Sequence, residues 1–256
     1  MLVNKDDLDL LVSAARAAGQ VAMRHWKNDP QVWHKPDDQG PVTEADYEVD
    51  ALLKTTLCGA RPDYGWLSEE SADDPARLNA QRVWIVDPID GTVNYFYGIP
   101  HYCVSIALRH KDELIVGVIY DPSMNEMWEV EKGSPALLNG QAISVSPRTK
   151  LEESAMIMGC GKDAASLSAG LERFGRASLR ARKMRMMGSA ALAMAYISSG
   201  RLDAYVESTI SLWDIAAGQL LLESAGGKSE LTPVEGKADV WSIVASNGKI
   251  PIEEIL

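Results

Sequence analysis

The sequence has few of the residues from which disulfide frameworks and zinc sites are built. Its three cysteines, Cys58, Cys103 and Cys160, are far apart and form no CxxC pair. An odd number of scattered cysteines excludes a complete disulfide framework and predicts small buried thiols in a reducing cytoplasm. The four histidines show no HExxH or similar spacing, so the common zinc sites are excluded as well.

Long apolar runs and positive charge are also scarce. No segment approaches the roughly 20 apolar residues that cross a bilayer, and the first residues, MLVNKDDLDLL, lack the basic region and apolar core of a signal peptide. The chain has 25 Lys and Arg against 36 Asp and Glu, a formal net charge of -11. That charge repels phosphate backbones and anionic membranes. We therefore expect a cytoplasmic protein without a nucleic-acid or membrane partner, which would need bound cations to handle anions.

What remains is the composition of an ordinary globular protein. The 256 residues are 46% hydrophobic and 24% charged, enough for one large or two modest domains. Apolar spacing predicts helices over about residues 6–26, with Asn4 as N-cap, and 43–57. From about residue 82, β-rich runs favour an antiparallel sheet, and after residue 150 strand and helix patterns alternate. We expect an α+β part over residues 1–148 and an α/β part over 149–256, with helices packed on sheets.

A basic run that begins at Arg180, RARKMRM, allows two interpretations. It could guide anions towards a site, or it could form an edge strand with a solvated charged face. The alternation of charged and apolar residues favours the edge strand. The methionines of this region, Met184, Met186 and Met187, are expected in the core or in a subunit interface.

Two acidic residues at the predicted end of a strand form the motif that most specifically indicates a functional site. The strand predicted over RVWIV ends at Val86, and the following DPIDG, with Asp87 and Asp90, forces a turn. Two carboxylates at one strand mouth repel each other unless a cation or water compensates them. Mg²⁺ prefers such hard oxygen ligands, including backbone carbonyls. The alternative is a surface turn in which Asp caps the backbone and Gly supplies a positive φ.

Three further acidic sites lie elsewhere in the chain, each with an ordinary alternative. The pair Glu69-Glu70 is equally typical of a solvated acidic loop. Asp214 stands at a predicted helix start, where an aspartate caps exposed N–H groups. Thr43 and Asp46 form a variant of the capping box. Spacing alone does not show that these residues converge on one site, so each alternative stays open.

The motifs taken together resemble one family. In chain order they are PVTEAD, LSEES, DPIDGTVNY, GSAALAMAYISSGRLDAYVE and WDIAAGQLLLESAGG. This set, over about residues 10–247, is similar to the signatures of the inositol monophosphatase family. The resemblance implies a Mg²⁺-dependent, lithium-sensitive phosphatase with the layered αβαβα sandwich of the sugar phosphatases. Members usually dimerise, so a homodimer is expected.

The resemblance also implies a set of metal ligands. The six oxygen donors would be Glu69, Asp87, the carbonyl of Ile89, Asp90, Asp214 and Asp46. The first three would bind one Mg²⁺, and Asp87 would bridge to a second ion that Asp90 and Asp214 also bind. Asp46, with Glu69, would bind a weaker third ion. Paired metals suit a doubly charged, slowly hydrolysed phosphate ester, because they neutralise charge and activate water.

The catalytic and substrate-binding roles are implied in the same way. Thr92, with Glu69, would orient and deprotonate a water molecule at the metals. The N–H groups of Gly91 and Thr92 would receive the phosphate, as helix starts commonly do. The polyol part of the substrate would contact Glu207 and the segment Gly188-Ser189-Ala190.

The resemblance leaves the substrate more open. Ser68 stands where the family commonly has glycine, and Tyr95 where it commonly has phenylalanine, but the acidic residues are intact. Asn94 and Glu207 favour an inositol or sugar phosphate. The alternatives are a 3′(2′),5′-bisphosphate nucleotide, fructose 1,6-bisphosphate or histidinol phosphate, hydrolysed by the same chemistry. A further alternative is a non-catalytic protein that acts through partners, such as an RNA polymerase accessory factor.

Overall fold

The computed structural model describes residues 5–28, 30–34, 40–159, 164–237 and 239–251. Six α-helices lie within these ranges: α1 (Lys5–His25), α2 (Glu44–Ala60), α3 (Thr92–Phe96), α4 (Ala164–Ser178), α5 (Ala190–Ser198) and α6 (Leu212–Ser224). The two helices predicted in the first part are confirmed as α1 and α2, and Leu11, Ala15 and Ala18 of the predicted α1 stripe are buried. The predicted N-cap, Asn4, and Cys160 lie outside the described residues. None of the described helices is both long and apolar enough to cross a membrane.

The first part of the chain forms a two-stranded and a seven-stranded sheet. Two short strands, β1 (Val32–His34) and β2 (Pro41–Thr43), pair antiparallel ahead of α2. The seven strands follow chain order: β3 (Gly65–Ser68), β4 (Arg82–Asp90), β5 (Cys103–His110), β6 (Glu113–Asp121), β7 (Glu126–Glu131), β8 (Leu137–Leu138) and β9 (Gln141–Ala142). Every neighbouring pair is antiparallel, as predicted, except β3 and β4. These two run parallel because a long connection with a 3₁₀ helix (Pro75–Asn79) carries the chain back to the same end.

β4 runs past the end predicted for it. The prediction that the strand ends at Val86 is wrong, since β4 continues to Asp90 with a register shift between Asp87 and Asp90. Asp87 is still opposite Ser105 in β5. The irregularity accommodates Pro88, which has no N–H to donate to a neighbouring strand. The predicted turn is therefore a bulge within the strand, and it keeps both carboxylates attached to the sheet.

The second part of the chain forms a mixed sheet of five strands: β10 (Ala155–Met158), β11 (Lys183–Arg185), β12 (Ala204–Ser211), β13 (Lys228–Pro233) and β14 (Val240–Ser246). Their order is β11-β10-β12-β14-β13, with β10 parallel to both neighbours and the other pairs antiparallel. β11 lies at one edge with Lys183 and Arg185 exposed, which confirms the edge strand predicted in RARKMRM. β13 was not predicted, because KSELTP is a mostly polar sequence on the opposite edge.

The helices and sheets stack in five layers. α1 and α2 pack on the outer face of the seven-stranded sheet, and α4 packs on the five-stranded sheet. α5 and α6 lie between the sheets, where they share one core with Ile85 and Ile119 of the first sheet and Tyr205 and Ile243 of the second. The predicted αβαβα sandwich is confirmed. The division into parts 1–148 and 149–256 stays a prediction, and the middle core draws on residues from both parts.

Candidate metal centre and active site

The parallel strands β3 and β4 bring two of the predicted carboxylates to one edge. Leu67 of β3 lies opposite Ile85 of β4, and both face the middle layer. Side chains alternate along a strand, so Glu69 and Asp87, each two residues further on, face the same layer. The backbone N–H of Glu69 donates to the carbonyl of Val86, at 3.3 Å, which holds the end of β3 beside β4.

α6 supplies the third carboxylate. Asp214 lies in the first turn of this helix, and its Oδ2 accepts a hydrogen bond from the backbone N–H of Ser211, at 2.9 Å. One carboxylate oxygen of each of Glu69, Asp87 and Asp214 lies within 4.8 Å of the other two. The capping interpretation of Asp214 is therefore confirmed, and the same residue also meets the acidic residues of the first sheet. We call these three residues the acidic cluster.

The acidic cluster fits a divalent cation. Oδ1 of Asp87 accepts the N–H of Ile89, at 3.1 Å, but its buried Oδ2 has no hydrogen-bond partner among the described residues. Burial, together with the charges of Glu69, Asp90 and Asp214, raises the pKa of Asp87 well above its ordinary value. Buried carboxylates at this spacing are unstable in the charged form without a counter-charge. Their oxygens are the donors that Mg²⁺ prefers, so the residues present match the predicted metal.

Asp90 connects the first sheet to the start of α5. Its Oδ2 accepts hydrogen bonds from Oγ of Ser189, at 2.6 Å, and from the N–H of Ala191, at 2.7 Å. Burial raises the pKa of Asp90 to about 6. One carboxylate oxygen of Asp90, a predicted metal ligand, is thus hydrogen-bonded to the start of α5. The contact also places the predicted substrate segment, Gly188-Ser189-Ala190, beside the acidic cluster.

Asp46 is both a capping residue and a neighbour of Thr92. Its Oδ2 accepts the N–H and Oγ1 of Thr43, at 2.8 and 2.6 Å, which confirms the predicted capping box. Its Oδ1 accepts Oγ1 of Thr92, at 3.1 Å, and the same hydroxyl lies 3.0 Å from the carbonyl of Ile89. Burial raises the pKa of Asp46 to about 6. The position of the Thr92 hydroxyl is therefore set by two of the predicted metal ligands.

A cavity of 510 Å³ joins the predicted residues. Those that line it are Glu69, Asp87, Ile89, Asp90, Gly91, Thr92, Gly188, Ser189, Ala190, Glu207 and Asp214. Asp46 is described but does not line the cavity, and it contacts the site through Thr92. Residues more than a hundred positions apart thus converge, which spacing in the sequence could not show.

The likeness to known proteins agrees with this geometry. The model of the inositol monophosphatase family matches residues 4–255. This chain belongs to the inositol monophosphatase family. It is therefore a phosphatase, a hydrolase of phosphate esters, which confirms the reaction class predicted from the motifs.

Three relatives show how far the likeness extends. An inositol-1-monophosphatase of Mesorhizobium japonicum is 37% identical over 249 residues, which cover 94% of this chain and 91% of the relative. A protein named Nus factor SuhB, from Xylella fastidiosa, is also 37% identical and covers 88% of this chain and 82% of its own. The solved structure of an inositol monophosphatase from Thermotoga maritima has a TM-score of 0.86 at 34% identity, with 98% of this chain and 95% of that chain covered.

Several residues of this family member's cavity were not predicted as functional. Asn94 was predicted only as an indicator of the substrate class, but its Nδ2 donates to the carbonyls of His101 and Met187, at 2.9 and 2.7 Å, and so ties α3 to the segments before β5 and α5. Tyr205 and Gly159 also line the cavity, and both lie next to the carboxylate of Glu207. Two of the three methionines expected in a core or an interface, Met186 and Met187, line it as well. Of these contacts, only the one between Tyr205 and Glu207 could be found from the sequence, because residues two apart on a strand project from the same face.

Gly91 must be glycine for two separate reasons, and its substitution is expected to destabilise the fold. Its φ is +97°, and a Cβ would lie 2.9 Å from the carbonyl oxygen of His101. Gly91→Ala is expected to lower the free energy of unfolding by about 2–4 kcal/mol, from backbone strain and overpacking together. Urea unfolding measures the change.

The matched control for Gly91 is Gly133, which also has a positive φ, +84°, but no atom within 4 Å of its added Cβ. Gly133→Ala isolates the backbone strain and is expected to lower the free energy of unfolding by about 1 kcal/mol. Equal losses in the two variants would contradict the crowding at Gly91.

Proposed function

We propose that this phosphatase hydrolyses the phosphate monoester of a polyol, with inositol monophosphate as the first candidate, and that it uses two or three Mg²⁺ ions. The observation that carries the proposal is the convergence of Glu69, Asp87 and Asp214 at a cavity that also contains Glu207. A cluster of carboxylates alone repels a phosphate dianion. A phosphate ester can therefore bind in this cavity only if cations offset that repulsion. The printed name of the Mesorhizobium relative supports the same substrate.

The ligand roles are proposed as the motifs predict them. Glu69, Asp87 and the carbonyl of Ile89 would hold one ion, and Asp90 and Asp214 would share Asp87 with a second. Asp46, with Glu69, would hold a third. When bound, such ions neutralise the phosphate and lower the pKa of water.

The chain's own residues would supply the orientation and the proton transfer. Oγ1 of Thr92, held against Asp46 and Ile89, would orient the attacking water, and Glu69 would accept its proton. The N–H groups of Gly91 and Thr92 start α3 at the cavity wall and would receive the phosphate oxygens. Glu207 and the segment Gly188-Ser189-Ala190 would contact the hydroxyl groups of the alcohol.

Chelation is expected to abolish phosphate release while the fold persists. In excess EDTA the carboxylates of the cavity can be hydrated or protonated, so the secondary structure should remain. Phosphate release and circular dichroism, measured before and after EDTA and again after excess MgCl₂, test this. Turnover that continued in EDTA would contradict a metal-dependent mechanism. Inhibition of the Mg²⁺-restored enzyme by Li⁺ is expected as well.

A substrate panel tests which ester is used. The panel contains myo-inositol 1-phosphate, fructose 1,6-bisphosphate, 3′-phosphoadenosine 5′-phosphate and histidinol phosphate, with phosphate release as the readout. Preference for inositol phosphate is expected because Glu207 accepts hydrogen bonds from vicinal hydroxyls. A preference for the adenosine bisphosphate would overturn the polyol assignment and keep the reaction class.

A second candidate function is binding to a protein partner, which the name of the Xylella relative favours. The variant Asp87→Asn, which is expected to lack phosphatase activity, distinguishes catalysis from partner binding in cells. A cellular role that survived this substitution would support the partner function over catalysis.

A homodimer and a cytoplasmic location belong to the same proposal. Within the part of the chain that the structure describes, Cys58 and Cys103 are free thiols, as a reducing compartment would keep them. Light scattering after size-exclusion chromatography gives the oligomeric state.

A further inference from the structure

Glu207 is fixed by a neighbour on its own strand. Tyr205 and Glu207 are two residues apart on β12 and project from the same face. The Tyr205 hydroxyl donates a hydrogen bond to Oε2 of Glu207. The Tyr205 ring is buried in the middle core, so the donor has a rigid base. Burial beside Glu207 raises the pKa of Tyr205 well above its ordinary value, which keeps the hydroxyl protonated.

The position of the Glu207 carboxylate also depends on the absence of a side chain at Gly159. A Cβ added to Gly159, which follows β10, would lie 1.7 Å from Oε2 of Glu207 and 2.3 Å from its Cδ. The N–H of Gly159 donates to the carbonyl of Val206, at 2.9 Å, and this bond sets the separation of the two strands. The backbone of Gly159 is not in the positive-φ region that favours glycine. The carboxylate of Glu207, rather than backbone strain, therefore accounts for the glycine.

We propose that Tyr205 and Gly159 are positioning residues that favour polyol esters, because Tyr205 holds the Glu207 carboxylate by a hydrogen bond and Gly159 leaves free the space that the carboxylate occupies. The inference rests on the proposed function, in which Glu207 contacts substrate hydroxyls. A carboxylate only accepts hydrogen bonds, so it favours alcohols that carry several O–H donors. A carboxylate that is already held loses less conformational freedom when the substrate binds. An ester without such hydroxyls, such as phenyl phosphate, gains nothing from it.

Two independent variants test the proposal. Tyr205→Phe removes only the hydroxyl, and Gly159→Ala fills the space that the carboxylate occupies. For each, kcat/KM with Mg²⁺ is measured on myo-inositol 1-phosphate and on phenyl phosphate. The ratio of the first value to the second is expected to fall about tenfold, mainly through KM of the inositol ester, which is the size of one hydrogen bond to a charged group. Equal losses on both esters, with an unchanged ratio, would show a merely structural role and overturn the proposal.

A double-mutant cycle shows whether Tyr205 acts through Glu207. In a Glu207→Ala background, Tyr205→Phe is expected to leave the ratio where Glu207→Ala has put it. A further tenfold drop would overturn the proposed route. Tyr95→Phe is the matched control: its buried hydroxyl donates to the carbonyl of Ala22, at 2.6 Å, and its loss should not move the ratio.

The same measurements separate this inference from the proposed function. Wild-type protein that releases phosphate from neither ester would refute the proposed function and the inference with it. Wild-type protein that hydrolyses both esters, with variants that keep the wild-type ratio, would overturn the positioning role alone.

Discussion

Replacement of Asp87 by Asn is expected to lower phosphate release at saturating Mg²⁺ by about a thousandfold or more. Asp87 is the buried member of the acidic cluster, and its Oδ2 has no hydrogen-bond partner in the described part of the chain. Asparagine would offer one neutral oxygen in place of a charged carboxylate, so it would hold the proposed cations less tightly. Phosphate release measures the loss, and isothermal titration calorimetry should show Mg²⁺ binding lost with it.

Asp121 provides the matched control. It is a buried aspartate on β6, its Oδ1 accepts the N–H groups of Ser123 and Met124, and its Oδ2 has no partner among the described residues. It does not line the cavity. Asp121→Asn removes a comparable buried charge and should keep turnover near the wild-type value. Equal losses in the two variants would show that any buried aspartate matters, and would remove the case for Asp87 as a ligand.

The metal-free protein is expected to lose stability as the pH rises, and Mg²⁺ is expected to restore it. The pKa of Asp46 and of Asp90 is raised from 3.8 to about 6 in the folded chain. Between these values the folded state binds protons that the unfolded state has released, so the free energy of unfolding falls as the pH rises through that interval. A shift of two pKa units corresponds to about 3 kcal/mol for one group. Below pH 4 both states are protonated and the effect vanishes.

Thermal melts at pH 5.5 and pH 8, in EDTA and in excess MgCl₂, measure this effect. The Mg²⁺-dependent rise in Tm should be larger at pH 8. Asp87→Asn, which removes a carboxyl whose charged form burial and the neighbouring carboxylates disfavour, should melt above the wild type in EDTA at pH 8 and should not respond to Mg²⁺. An equal rise at both pH values, or a metal-free variant less stable than the wild type at pH 8, would contradict the account.

The longer helices and the apolar strands of this fold could be predicted from local patterns, since their periodicity depends on residues near in sequence. The apolar stripe of α1 and the β-rich runs of the first sheet are examples. The predicted end of β4 was wrong because the sequence Asp-Pro-x-Asp-Gly is compatible with both a turn and a bulge. Only the pairing of β4 with β5 decides between them. β13 was missed because an exposed edge strand needs no apolar alternation.

The candidate site could be predicted only in part. The capping roles of Asp46 and Asp214 follow from spacing, but their meeting with the first sheet depends on how the layers stack. The resemblance to the family supplied that arrangement, and the distances among Glu69, Asp87 and Asp214 agree with it. The contact between Gly159 and Glu207 depends on the register of β10 against β12. Neither strand has a sequence pattern from which that register could be predicted.

The position of α6 has a consequence for biosynthesis. Glu69 and Asp87 leave the ribosome with the first sheet, whereas Asp214 arrives on a helix that packs between both sheets and follows most of the second. Because the N-terminal part of a chain generally folds first, the nascent sheet must form with two of the three carboxylates and no complete cage for an ion. Under the proposed function, the complete acidic cluster is therefore available to a cation only after α6 has been synthesised.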